Sequence, residues 1–177
     1  LTRYHPDLPP RLDAHGRLQM RYENEVVALQ HFDMAVEQTP LQLSFKGSVA
    51  LAAAGGPGFD GELAWRQFGW PLTAEAPAFA SAEGRLQLAG SADAYTLDLA
   101  AELAGSQVPP GQWQGLATGD SGKLRLQQLA GQVLGGEVTL VGELDWDPQP
   151  SWDFQLSGSE LDPGQWLPDL PGRLALA

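Results

Sequence analysis

From Gly135 to Leu156 the side chains change character at nearly every residue. Val138, Leu140, Gly142, Leu144 and Trp146 hold the even positions, while Thr139, Glu143 and Asp145 hold odd ones, with Val141 the exception. A period of two sends alternate side chains to opposite faces of an extended chain, so this stretch reads as a strand with one apolar and one wet face. Asp147 to Ser151 carries two prolines, which donate nothing to a ladder, and predicts a turn. The alternation resumes in Trp152, Phe154 and Leu156, which makes the whole a hairpin with one apolar side.

The same signature recurs along the chain. Leu18, Met20 and Tyr22 alternate with polar neighbours, as do Tyr95, Leu97, Leu99, Ala101 and Leu103, and again Leu124 and Leu126. Between Val26 and Glu37 the parity changes: Val27 and Leu29 share one parity, Phe32, Met34 and Val36 the other. One extra residue near Gln30 and His31 restores a common face, which predicts a β-bulge. From Leu41 to Ala53 every odd position is apolar or glycine, and Gly47 is the expected bend in so long a run. Gly55-Gly56-Pro57-Gly58 reads as a loop and Pro71 to Glu83 as a connection.

Three short strings occur twice. Gly61 to Trp65 and Gly142 to Trp146 share G-E-L-x-W, Gly84 to Leu88 and Gly172 to Leu176 share G-R-L-x-L, and Pro110 to Trp113 and Pro163 to Trp166 share P-G-Q-W. Their separations differ, so this is one strand-turn unit repeated loosely rather than a fixed-period array. Nothing carries a convincing helical period. The class is all-β, with about a dozen strands expected. Residues 1–15 read as an irregular opening segment and 16–177 as one continuous sheet. The alternation from Gly172 to Ala177 stops unfinished, as in a fragment of a longer chain.

Composition narrows the function. The net charge is −12 and only 10 residues are Lys or Arg, which disfavours phosphate backbones and excludes nucleic acid as the expected partner. There is no cysteine, hence no disulfide framework. Glu143, Asp145, Asp147 and Asp153 lack the glycine and further ligands of a calcium loop and read as a solvated face. His5, His15 and His31 are scattered without metal-ligand spacing, and no nucleophile elbow or phosphate loop is present. No enzyme, metal or cofactor is expected. Trp65, Trp113, Trp146, Trp152 and Trp166 are expected at strand ends or turns, where they plug the rims of the sheet or contact lipid or sugar.

An apolar sheet face with no helix to cover it has three outcomes in water: a sandwich, a closed barrel, or a single sheet curled around an apolar interior. Each wet Leu or Phe forgoes roughly 1.5–3 kcal/mol, so the face must be covered by something. Parity places Leu41, Leu43, Phe45, Val49, Leu51, Leu86, Leu88, Leu97 and Leu99 on it, with Leu103, Leu124, Leu126, Val138, Leu140, Leu144, Trp146, Phe154 and Leu156. Dry core and ligand-lined groove both satisfy that pattern.

The string from Leu129 to Trp146, L-A-G-x-x-L-G-G-x-V-x-L-x-G-x-L-x-W, together with the repeated G-x-L-x-L strands, resembles the TamB family of the wider AsmA-like group. The resemblance runs through most of the chain and is strongest from Gly61 onward. It implies an elongated, curled antiparallel sheet, a β-taco or trough with an apolar concave face, where the alternative is a β-sandwich. It further implies a periplasmic segment whose parent chain is anchored in the inner membrane. The groove residues above would then meet phospholipid acyl chains carried between the inner and outer membranes. A barrel partner in the outer membrane, reached through regions outside this chain, is implied for outer-membrane protein assembly. Two other readings stay open: a scaffold that pairs its edges with outer-membrane β-strands, and a carbohydrate-binding sandwich. End strands that stop in mid-pattern also predict end-to-end self-association.

Overall fold

Eleven strands follow one another in sequence and pair with their neighbours in the same order. They are β1 (Ala14–Glu23), β2 (Val26–Val36), β3 (Gln42–Ala50), β4 (Gly58–Trp70), β5 (Phe79–Ser91) and β6 (Tyr95–Leu103), then β7 (Gly111–Gly119), β8 (Lys123–Val133), β9 (Gly136–Asp145), β10 (Ser151–Leu161) and β11 (Leu174–Leu176). A computed structural model describes residues 13–51, 57–72, 74–170 and 172–176 of the chain. Every pairing is antiparallel, and the result is one open meander, consistent with a curled trough and not closed into a barrel. Among the described residues no second sheet packs against it, so the sandwich alternative does not form.

Local chemistry explains the connections. Asn24 and Glu25 both take positive φ, 51° and 61°, between β1 and β2. Leu134 and Gly135, at 52° and 73°, do the same between β8 and β9. That is the two-residue turn whose twist matches the right-handed twist of the strands it joins. Asp145 to Ser151 closes the next hairpin as expected, with the backbone N–H of Asp147 donating to Asp145 Oδ1 at 3.0 Å.

The bulge foreseen near Gln30 is present: Met20 lies opposite Leu29 but Gln19 opposite His31, so Gln30 is the extra residue. A second bulge sits in β8, where Leu126 and Leu129 face Gly142 and Leu140, two positions apart on β9. Each bulge lies where the apolar parity of its strand switches, and each returns the apolar side chains to a common face. Gly47 is no break in its strand. It faces Gly61, and a methyl group there would run into the backbone of β4 and the ring of Phe45.

The P-G-Q-W copies diverge. Pro110 leads into β7, whereas Pro163–Gln165 forms a 3₁₀ turn capped by Asp162, whose carboxylate accepts from the Gly164 N–H at 3.1 Å. The preceding Asp supplies an N-cap that the first copy lacks. The stretch expected as a connection up to Glu83 is already strand from Phe79. The Gly55-Gly56 loop and most of the opening segment lie outside the described residues.

Candidate functional site: an uncovered apolar face

Tracing partner residues across the sheet resolves the apolar face into four rows, each crossing ten strands from β1 to β10. One row runs Leu18, Phe32, Phe45, Leu63, Leu86, Leu99, Gly115, Leu129, Leu140, Leu156. Beside it run Met20, Leu29, Gly47, Gly61, Leu88, Leu97, Ala117, Leu126, Gly142, Phe154. Tyr22, Val27, Val49, Phe59, Gly90, Tyr95, Gly119, Leu124, Leu144 and Trp152 make the third, and Gly16, Met34, Leu43, Trp65, Gly84, Ala101, Trp113, Gly131, Val138 and Gly158 the fourth. No position in these rows is charged. At about 4.8 Å per strand a row spans roughly 43 Å.

Of the residues that parity placed on this face, all the strand members fall in these rows except Leu103, which lies opposite Gly111 one step beyond the fourth. Leu41 precedes β3 and is buried. Leu51 and Trp146 lie just past the ends of β3 and β9 and are exposed. Two of the five tryptophans also differ from expectation. Trp65 and Trp113 are within strands, on the apolar face, and not in turns or at rims. Trp146 and Trp152 do flank the β9–β10 turn.

Rings and glycines alternate across this face. A methyl group at Gly84 would overlap the indole of Trp65, one at Gly131 the indole of Trp113, one at Gly119 the phenol of Tyr95, and one at Gly142 the ring of Phe154. In each case the glycine is the partner of the aromatic on the next strand. Cross-strand pairs of this kind let a large ring lie down over bare backbone and replace the missing side-chain contact. The buried residues belong to the same face: Ala101, Ala117, Val138 and Val133, with Leu161 beside them. Ser81 is buried too, accepting from the Trp65 indole N–H at 2.8 Å and donating to the Glu83 carbonyl at 3.1 Å.

Its own side chains leave part of the face open. Leu18, Met20 and Tyr22 on β1 and Trp152, Phe154 and Leu156 on β10 are well exposed. Among the described residues no other element lies over the rows.

The opposite face is a charge ladder, and the repeated G-E-L-x-W string explains how the two faces are coupled. Glu62 accepts from Lys46 at 2.8 Å and from Gln87 at 3.0 Å. Its counterpart Glu143 pairs with Arg125 at 2.7 Å and Lys123 at 3.4 Å. In both copies the preceding glycine, Gly61 or Gly142, seats a phenylalanine ring and the following leucine stands on the apolar face. Hydrogen bonds from Lys46 and Gln87 hold Glu62 below its usual range, and those from Arg125 and Lys123 do the same for Glu143.

Sequence reasoning missed two clefts on this polar face, of about 1110 and 710 Å³. The larger crosses β1 to β7 between two polar rows, Arg17, Asp33 and Arg85 on one side and His15, Arg66 and Glu83 on the other. Gly16, Met34, Leu43, Trp65, Gly84 and Trp113, of the apolar row between those two, also line it. The signal was available in the alternate polar positions, but only strand order makes them neighbours. Among the described residues no three histidine, aspartate or glutamate side chains gather to hold a metal ion.

Comparison with known families places this arrangement. The model of the family described as TamB, N-terminal domain, matches residues 14–176, which is all but the first 13 residues and the last one. No solved structure matches the chain.

Proposed function

The chain belongs to the TamB family, and from that premise we propose that its apolar face shields the acyl chains of phospholipid on their way between the inner and outer membranes, within the periplasm. The observation that carries this reading is the continuity of the four rows. They cross ten strands without a charge and, among the described residues, without a covering layer. A face that only needed a dry core would be sealed by a second sheet. Here the residual exposed apolar area suits a mobile apolar guest, which gains about 25 cal/mol per Å² covered.

The sheet's long axis runs along the rows, because strands add by hydrogen bonding in that direction. An acyl chain aligned with a row would pass from strand to strand over leucines, ring faces and glycines of similar polarity, with no step that strands it in water. The seated aromatics keep the surface low without giving up its apolar character. The charge ladder keeps the opposite face wet and soluble. Leu43, Leu86, Leu99, Leu140 and Leu144 are the residues assigned to contact lipid in this reading. The barrel partner and the assembly of outer-membrane proteins belong, in this reading, to parts of the parent chain outside these residues.

Phospholipid co-purifying with the protein is the test. Leu140→Asp plants a charge in the middle of a row and is expected to deplete bound lipid, while Gln155→Asp, on the polar face of the neighbouring strand, leaves it unchanged. Equal lipid in both variants, or none in the unaltered protein, would remove the conduit.

A further inference from the structure

The cations of the polar face fall into two kinds. Lys46, Lys123 and Arg125 serve the charge ladder, each bonded to Glu62 or Glu143. Arg66 on β4 and Arg85 on β5 line the larger cleft instead, and among the described residues neither side chain makes an ion pair or a hydrogen bond. Arg85 acts on Glu62 only at a distance.

Register brings these two arginines together. Arg66 is the partner of Glu83 and Ala64 the partner of Arg85, so the arginines are diagonal neighbours on one face. Their Cβ atoms are then roughly 7–8 Å apart, within joint reach of one small group. Directly across from Arg85 stand only alanines, Ala64 on β4 and Ala100 on β6. Two carboxylates stand one strand further on. Glu83 and Glu102 each lie one residue beyond the partners Gly84 and Ala101, side by side on β5 and β6, and both line the same cleft. Like charges so placed repel. Among the described residues Glu102 accepts from Gln112 alone, at 3.4 Å, and no ion pair joins Glu83 to its partner Arg66.

The cleft thus offers two guanidiniums and, about 4.8 Å further across the sheet, two carboxylates. A simple anion against the arginines would meet Glu83 and Glu102, and a simple cation against the glutamates would meet Arg66 and Arg85. A molecule carrying both charges one strand spacing apart satisfies both pairs. Guanidiniums bind phosphate oxygens through paired N–H donors, and carboxylates accept from an ammonium.

We propose that the cleft between β4 and β6 binds a zwitterion with a phosphate and a primary ammonium on a short linker, the phosphoethanolamine group. Arg66 and Arg85 hold the phosphate, and Glu83 and Glu102 the ammonium. The site faces away from the apolar rows, so it stands whether or not those rows take lipid. The same group occurs free in solution and at the surface of a bilayer, and only the group itself enters the cleft.

Titration of O-phosphoethanolamine into the isotopically labelled chain, followed by NMR, tests this beside inorganic phosphate and ethanolamine alone. The expected result is saturable shifts at amides of β4 to β6, with binding roughly tenfold or more tighter than either fragment, and weakened roughly tenfold or more by Arg85→Gln or Glu102→Gln. Arg125→Gln, in the ladder and outside this cleft, should bind as the unaltered chain does. All three positions are exposed, and circular dichroism verifies that the fold is kept. Vesicles of phosphatidylethanolamine, compared with phosphatidylcholine, separate the two sources. Flotation that Arg85→Gln abolishes assigns the bilayer-borne group, and binding in solution without flotation assigns the free one. No saturable binding, phosphate alone binding as tightly, or both cleft variants binding like the unaltered chain would each overturn the proposal.

Discussion

The indole of Trp65 lies over Gly84 on the adjacent strand, so close that any side chain at that glycine would have to displace the ring. The relationship recurs across the sheet and sets the relief of the apolar face. Gly84→Ala should therefore destabilise the protein by about 1–3 kcal/mol through overpacking, although alanine is ordinarily the better strand residue. Gly69→Ala is the control, because the space above Gly69 holds only Pro77 at 3.4 Å, an ordinary contact. Chemical denaturation of the two variants should give opposite or clearly unequal shifts in midpoint. Equal shifts would mean that the ring does not depend on the glycine.

Two tryptophans on the same face differ in what their N–H groups do. Trp65 donates to the buried Ser81 hydroxyl at 2.8 Å, while the buried indole nitrogen of Trp113 meets no acceptor among the described residues. Trp65→Phe leaves Ser81 short of a donor in a dry site, so it should cost about 1–3 kcal/mol. Trp113→Phe removes a group with no partner and should cost less. The order of the two midpoints in urea decides, and the reverse order would contradict the assigned hydrogen bond.

How far the sequence foretold this architecture depends on how dense the apolar signal was. The parity of Val138, Leu140 and Leu144 identified the face, and the parity switch at Gln30 located the bulge in β2. The second bulge, between Leu126 and Leu129, carries the same signal but over too few residues to stand out. β7 was not visible as a strand, because its face-forming positions are Trp113, Gly115, Ala117 and Gly119, which are mostly small. Those residues are small because neighbouring rings and leucines occupy the space above them, a fact that belongs to strand pairing and not to the strand itself. Trp65 and Trp113 were expected at rims for the same reason: nothing in one strand announces the glycine waiting on the next.

The charge ladder gives the fold an acid-side dependence. Glu62 and Glu143 sit below the ordinary value of 4.5 because Lys46 and Arg125, respectively, bond their ionised forms first among several partners. A carboxylate lowered on folding stabilises the native state above its unfolded value, and that contribution disappears as pH falls through the folded one. Stability should decline as pH drops below about 4.5, and Glu143→Gln should show a shallower decline than the unaltered chain. Both groups are half-buried at most and reached by solvent, so added salt should reduce the difference. Thermal midpoints between neutral pH and pH 3, at two salt concentrations, provide the comparison.

The central claim is that lipid lies on one face of the sheet and not on the other. Leu99 and Asp98 are adjacent in β6 and point to opposite faces, Leu99 into the row of Leu86 and Asp98 beside Gln87. A photoactivatable amino acid placed at each position in turn, in cells, followed by mass spectrometry of the cross-linked protein, reads that difference directly. The account predicts phospholipid adducts at position 99 and none at position 98. Adducts at both positions, or at neither while protein cross-links form at 99, would contradict it.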